Sequence, residues 1–447
     1  MLAKLLGSTY HIITFGCQMN KSDSERVAGM LDALGALPAS SQDEADIIIF
    51  MTCCVREAAD ERLYGQVASL KNSGALIVVG GCIGQRDAAG LAKKMPHVGV
   101  VFGTHNIMSL PALLEEALAS DAPVVEVISN TDALETEHPH ADFETPVKRE
   151  HSWHAWLPIM TGCNNFCSYC VVPYVRGRER SQSFEDLVAE AKRLVSDGVR
   201  EITLLGQNVN SYSGGNMDFS DLLSMFEDVV GLERIRFMTS HPKDFSEKLA
   251  ALYGTSKKLC PAIHLPVQSG SSRILNLMNR KYDREKYMNH IMRVREICPD
   301  IVVTTDFIVG FPGETDEDFE DTMDLIERVR FDSAFTFIFS PRQGTPAAEY
   351  ENQIPEEIKH ERFNRMVERL NAITLEKNKL YIGRTENVLV EGYSKTGKGM
   401  LSGRTSGGKL INFKPGEDNP DLLIGQIVDV LIKDVNTFSF IGEITKI

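Results

Sequence analysis

Short apolar runs alternate with helix-period segments along most of this chain, and that alternation restricts it to folds in which parallel strands are buried between helices. Between Tyr10 and about Leu118 the runs YHIITFGC, DIIIFMTC and ALIVVGGC are separated by SDSERVAGMLDALG and REAADERLYGQVASLK. A second series follows, with strands expected at 156–160, 201–206, 234–240, 262–268, 302–310 and 334–340. Helical segments lie between them, such as SFEDLVAEAKRLVSDG, stopped by Gly198, and TDEDFEDTMDLIERVR, capped by Thr315. Six β/α units predict an open, partial (β/α)6 barrel, with polar functional groups just after its strands. From Arg384 onward short alternating strands with Gly and Asn-Pro breaks predict a small antiparallel β-barrel. The fold class expected is therefore α/β: a parallel α/β sheet domain, a partial barrel and a small β-barrel.

Asn130 to Thr145 carries five acidic residues, no lysine or arginine and no periodicity, and reads as a solvated linker. Domains are expected at 9–126, 149–381 and 384–447, with 127–148 between the first two. The apolar fraction of 43% and charged fraction of 24% are those of a soluble globular protein. No stretch approaches a membrane span, and the N-terminal residues lack a long apolar run ending in a cleavage site. A cytoplasmic location is expected, where the nine cysteines stay reduced and a cluster of them is more often metal-binding or catalytic than disulfide-bonded. A net charge of -15 argues against indiscriminate attraction to nucleic acid, so any RNA contact requires a local patch.

The sequence TGCNNFCSYC holds three cysteines, Cys163, Cys167 and Cys170, with no fourth nearby. Structural zinc takes four ligands, usually as two short-spaced pairs, which this spacing does not supply. Three thiolates on a four-iron cluster leave one iron open to an outside ligand. The alternative, one apolar helix face, is opposed by Gly162, Asn164, Asn165 and Ser168, all poor in helix interiors. CNNFCSYC resembles the C-x3-C-x-aromatic-C signature of radical S-adenosylmethionine (SAM) enzymes. The resemblance implies a [4Fe-4S] cluster whose open iron is chelated by SAM, which one-electron reduction cleaves to a 5′-deoxyadenosyl radical. It places Tyr169 near the adenine.

Cys17, Cys53 and Cys82 each end one of the N-terminal apolar runs. A lone strand-end cysteine is usually a core residue, but ligands of open α/β sheets sit outside the carboxyl ends of strands, where adjacent strands would bring three thiols together. TFGCQMN, FMTCCVREAAD and VVGGCIGQR resemble the N-terminal domain of methylthiotransferases, in which three cysteines hold a second [4Fe-4S] cluster. By that resemblance Cys17, Cys53 and Cys82 are the ligands, and a methylated sulfur is inserted at a C–H bond activated by a second SAM. The asparagine usual before the second cysteine is Met51 here, which removes its hydrogen bond. Cys54, Cys260 and Cys298 are read as packing residues.

The C-terminal segment resembles the TRAM domain, an RNA-binding module. Of the three groups sharing this layout, TCCVREAADERLYGQV and LLGQNVNSYSG are most similar to the one that modifies isopentenyladenosine in tRNA. The others act on threonylcarbamoyladenosine in tRNA and on an aspartate of a ribosomal protein. The resemblance also implies SAM contacts at Gln207, Asn208, Gln268, Ser269, Gly310 and Glu314, each of which equally fits a loop or turn role. Arg176, Arg178 and Arg180 fit either an anion site or a solvated charged turn. Residues 384–447 hold eight basic and eight acidic residues, so RNA contact is expected from a local strip at Lys395, Lys398, Arg404 and Lys409. Partners expected are the tRNA, an electron donor such as flavodoxin or ferredoxin, and an unidentified sulfur donor. The protein is expected to be a monomer that acts away from membranes. A non-catalytic iron-sulfur electron carrier is disfavoured, because it would need fully ligated clusters and no large β/α core.

Overall fold

The computed structural model describes residues 5–54, 57–120, 122–130, 145–395, 397, 399–416 and 419–446. Most of the expected linker, 131–144, and Lys398 lie outside them. The N-terminal strands β1 (Thr9–Thr14), β2 (Leu37–Pro38), β3 (Ile47–Thr52), β4 (Leu76–Gly81), β5 (Val98–Phe102) and β6 (Val124–Glu126) form one parallel sheet in the order β2-β1-β3-β4-β5-β6. Helices α1 (Gln18–Ala33), α2 (Glu57–Ser69), α3 (Cys82–Lys94) and α4 (Leu110–Ala119) cover it. The continuous apolar run of β3 is explained by burial on both faces. Ile47, Ile49 and Met51 pack with Val27, Met30, Leu113 and Leu114, whereas Ile48 and Phe50 pack with Leu63, Val67, Ile83 and Leu91. Removing a side chain such as Ile49, which is wholly buried, would cost roughly 2–5 kcal/mol.

The central strands are β7 (His154–Pro158), β8 (Met160–Thr161), β9 (Arg180–Ser181), β10 (Glu201–Leu205), β11 (Ser213–Gly214), β12 (Met217–Asp218), β13 (Arg234–Phe237), β14 (Ala262–His264), β15 (Val302–Val309) and β16 (Ser333–Ile338). Two parallel sheets, β7-β10-β13 and β14-β15-β16, are linked by the bridge Ile235–Leu259 into an open six-stranded barrel. The antiparallel pair β8–β9 closes the loop that carries Cys163, Cys167 and Cys170. Two strands end before the expected positions. β13 stops at Phe237 ahead of Thr239, and β14 stops at His264 ahead of Gln268, both of which have left-handed backbone at φ +62 and +75.

The last five strands, β17 (Thr385–Tyr393), β18 (Leu401–Thr405), β19 (Leu410–Lys414), β20 (Ile427–Val435) and β21 (Phe440–Lys446), close into a barrel in the order β17-β18-β19-β21-β20. One pair, β19–β21, is parallel, which corrects the expectation of a purely antiparallel barrel. A closed ring with an odd number of strands cannot alternate direction all the way round. This small barrel is tethered at the start of the central strands. Arg234 donates to Arg404 O (3.1 Å) and Asn387 O (2.8 Å), and Arg236 to Ser406 O (2.9 Å) and Thr405 O (2.9 Å). Among the described residues no helix is long and apolar enough to cross a membrane.

Candidate active site

β1, β3 and β4 are neighbours in the sheet, and Cys17, Cys53 and Cys82 follow them, so three thiols meet at one sheet end. Gly16, at φ +103, is required there, because a Cβ would lie 2.2 Å from Cys53 Cβ. Asn20, fully buried on α1, donates from Nδ2 to Phe15 O (2.7 Å) and Thr52 O (2.8 Å), pinning the ends of β1 and β3 together. Thr52 Oγ1 donates to Gly80 O (2.6 Å) and accepts from Ile83 N (3.0 Å), which fixes Cys82. Met51 lies in the apolar layer, so the clamping amide of this site is Asn20. A hydrogen bond from Cys53, with help from the Arg176 charge, holds the Cys17 thiol down to about 6. Cys82 is held to about 6 by a hydrogen bond from Cys54 and by Arg176. Cys54, buried in the same layer, is pushed up by that contact.

Arg176 is not a solvated turn residue; of the two roles expected of it, it takes the anion-binding one, and its anion is the Asp23 carboxylate inside the fold. Its guanidinium is buried and donates to Cys82 Sγ (3.4 Å), Asn20 Oδ1 (3.1 Å) and Asp23 Oδ2 (3.2 Å). Arg178 lies over the Phe166 ring at 4.3 Å.

The second trio is built locally. Gly162, at φ +77, starts the loop where a Cβ would lie 1.9 Å from Arg178 O, and its N–H is held by Gln207 Oε1. Asn279 donates to Asn165 O (3.3 Å) and Phe166 O (2.8 Å), while Ser168 Oγ donates to Leu277 O (2.9 Å). Arg280, also buried, donates to Cys167 Sγ (3.3 Å), the Tyr282 hydroxyl (2.8 Å) and Pro266 O (2.8 Å). Burial pushes Cys163 up to about 11, and burial with the neighbouring Cys167 pushes Cys170 up to about 12. Among the described residues, four of the five non-glycine residues with left-handed backbone, Phe166, Thr239, Gln268 and Asn279, lie in the loops around this centre, as strain does at functional sites.

Beside it, Asn208 Oδ1, Ser240 Oγ and His241 Nε2 are buried without a hydrogen-bond partner among the described residues. Asn208 Nδ2 is committed to Asp244 (2.8 Å), so its free atom is an acceptor. His241 is held neutral by burial and by Arg280, and its Nδ1 accepts from Lys243 N (3.1 Å), which leaves Nε2 as a donor. One acceptor and two hydroxyl- or imidazole-type donors therefore await a polar ligand. Ser269 is bonded to Ser271 N (3.2 Å), and both Glu314 oxygens are taken, by Gly310 N (3.1 Å) and Arg362 (2.8 Å). Tyr169 packs against the Ile274, Met278 and Phe311 cluster, and Gly310 stands at φ +72.

Among the described residues no three His, Cys, Asp or Glu side chains close tightly enough to hold a single metal ion. Iron-sulfur clusters instead take about one thiolate per iron and so spread their ligands. Both donor sets fit such a cluster: three thiols, a buried guanidinium on one sulfur, and a shielded apolar wall. A chamber of about 630 Å³ runs from Cys17 through the barrel lumen to the C-terminal barrel, within the range of small-molecule sites. Trp156, Arg236, His264, Phe335 and Phe438 line it. Arg404 borders it, paired with Glu391 (3.1 Å), and Lys395 is exposed. Lys409 instead turns inward to Asn378 Oδ1 (3.0 Å) and Asp332 O (3.2 Å), serving the contact between barrels.

The family model for the Radical SAM superfamily matches residues 157–326, that described as Uncharacterized protein family UPF0004 matches 9–103, and that of the TRAM domain matches 379–445. A radical S-adenosylmethionine methyltransferase from Kitasatospora setae, solved with cobalamin and a [4Fe-4S] cluster, has a TM-score of 0.56 over 94% of this chain and 82% of its own, at 12% identity, a likeness of fold alone. The tRNA-2-methylthio-N(6)-dimethylallyladenosine synthase of Clostridium botulinum is 48% identical over 97% of this chain and 96% of its own length. That of Clostridium perfringens is 48% identical over 97% of each. With that identity along both whole chains, this protein belongs to the family of the tRNA-2-methylthio-N(6)-dimethylallyladenosine synthases.

Proposed function

We propose that the protein adds a methylthio group to C2 of N6-isopentenyladenosine beside the anticodon in tRNA, giving 2-methylthio-N6-isopentenyladenosine. The observation that carries this reading is the chamber, which begins among the loops of the RNA-binding type of barrel and reaches Cys17. A base can enter such an enclosed chamber only by leaving its stack, and Trp156, His264 and Phe335 offer flat and apolar faces to receive it and its N6 tail.

Cys163, Cys167 and Cys170 would hold the [4Fe-4S] cluster that works with SAM, and Cys17, Cys53 and Cys82 a second one. Together these groups would supply the hydrogen-abstracting radical, the methyl group and the sulfur. Asn208, Ser240 and His241 would satisfy the polar groups of SAM, Gln207 and Gln268 would shape that site, and Tyr169, Ser269, Gly310 and Glu314 would form its walls. Arg404 at the edge of the chamber, and Lys395 exposed on the same small barrel, would meet phosphate. The reading includes a flavodoxin- or ferredoxin-type electron donor and a monomeric enzyme.

The test is anaerobic incubation of reconstituted protein with SAM, reductant and sulfide, separately with isopentenylated tRNA, threonylcarbamoylated tRNA and the ribosomal protein. Mass spectrometry should find one methylthio group on isopentenyladenosine alone. Gain on either other substrate would overturn the substrate assignment.

A further inference from the structure

Arg176 is chemically out of place unless the auxiliary thiols need it. It follows a four-residue helix, Val172–Val175, in the segment that carries Cys170, yet its guanidinium hydrogen bonds to Cys82, Asn20 and Asp23 all reach the N-terminal domain. Val171 and Val175 pack into the apolar layer of Phe50, Val79 and Cys82, so the segment is wedged against the N-terminal sheet. A buried guanidinium carries a desolvation penalty that only well-placed partners offset. Asp23 supplies one, and the remaining donors face Asn20, which clamps Cys17 and Cys53, and the sulfur of Cys82 itself.

We infer that Arg176 is the positioning residue of the auxiliary centre: a fixed positive charge, contributed by the loop of the other cysteine trio, that sets the reduction potential of a cluster held by Cys17, Cys53 and Cys82. The inference rests on the reading that this trio holds a cluster. Hydrogen bonds to ligand sulfurs and nearby charge are the levers by which a protein tunes such a potential. A donor and a positive charge favour the reduced, more negative state, so removing them lowers the potential. The same residue ties the auxiliary charge to the placement of the radical SAM loop, because shifting that loop withdraws the guanidinium. Arg280 makes the equivalent contact to Cys167 and serves as the internal comparison.

The experiment uses the full chain with Cys163, Cys167 and Cys170 all changed to alanine, which isolates the auxiliary site. After anaerobic reconstitution, iron is counted and the midpoint potential is followed by electron paramagnetic resonance. A parent that holds no iron would overturn the cluster reading itself. A parent with about four irons per chain validates that reading and lets Arg176 be tested alone. Arg176→Gln should move the potential to more negative values or lose the cluster, whereas Arg176→Lys, which keeps the charge, should retain iron and stay nearer the parent. An unchanged potential with full iron in Arg176→Gln would overturn the inference, and so would an Arg176→Lys shift as large as that of Arg176→Gln or cluster loss in both. In the converse background, with Cys17, Cys53 and Cys82 changed to alanine, Arg280→Gln should shift the remaining cluster and Arg176→Gln should not. A shift with Arg176→Gln there would also overturn it.

Discussion

The two cysteine trios are assembled by opposite routes. Cys163, Cys167 and Cys170 sit in one loop, bent by left-handed backbone at Gly162 and Phe166 and held from outside by Asn279 and Arg280. Cys17, Cys53 and Cys82 come from the ends of three strands and meet only because the sheet places β1, β3 and β4 side by side. The first centre closes a short loop at small entropic cost, whereas the second depends on the whole sheet. A local site is thus a property of a motif, and a dispersed one a property of a fold. The supporting side chains of the dispersed centre should therefore bear more of the stability.

The largest expected effect separates the two centres by reaction. Changing Cys167 to alanine should abolish both SAM cleavage and product. Changing Cys53 should abolish product while SAM is still converted to 5′-deoxyadenosine, with iron falling to roughly half. Equal loss of SAM cleavage in both variants, read by chromatography, would mean that the centres do not work separately.

A stability contrast follows. Asn20→Ala strips donors from two buried carbonyls and an acceptor from Arg176, and should cost about 2–4 kcal/mol. Asn279→Gly removes two bonds at a half-buried site while keeping the left-handed backbone, and should cost about 1 kcal/mol. Denaturant melts of the metal-free chain decide it; equal losses would contradict the idea that the dispersed centre leans harder on its supports.

Much of this difference was legible in the sequence, and the reason lies in the distance between partners. Six β/α units and the small barrel announce themselves by period, and the Cys163 trio by spacing. Strands β2 and β6, of two and three residues, are too short to show a period. The strand-end cysteines could be seen individually, but their adjacency is a matter of strand order. Asn20 and Arg280 were missed as site residues, and Arg176 was named without its partners, because those partners lie 32, 113 and 156 residues away respectively. The QMN after the first cysteine and the RGRER run after the second trio were the available signals, and neither states which partner it meets. Lys409 looked like a surface cation because its partner, Asp332, lies 77 residues upstream.

The thiols themselves sharpen the contrast. In the metal-free chain Cys17 is held to about 6 and is accessible from the chamber, whereas Cys163 is pushed up to about 11. At neutral pH the thiolate fraction favours Cys17, and because nucleophilicity falls less steeply than thiolate fraction rises as the pKa drops, the net preference stays with Cys17. Alkylation with iodoacetamide, mapped by mass spectrometry, should label Cys17 first. Its rate should fall as pH drops through about 6, while the Cys163 rate should still rise above pH 9. Preferential labelling of Cys163 would reverse the electrostatic difference between the centres.

The smallest expected effect lies on the C-terminal barrel, whose Arg404 borders the chamber that leads to the dispersed centre. Lys395→Glu and Arg404→Glu should weaken tRNA binding several-fold each and reduce the salt slope by about one for every phosphate no longer neutralised. Both side chains lie away from the cysteine centres, so iron content should stay constant. Lys409→Glu should act differently: it places a carboxylate beside Asp332, and the consequence should be a lower melting temperature of the free protein. If the first two changes left affinity and salt slope untouched, RNA would have to approach by another face. The chamber would then serve a small substrate drawn from solution, and the link between the barrel loops and Cys17 would lose its meaning.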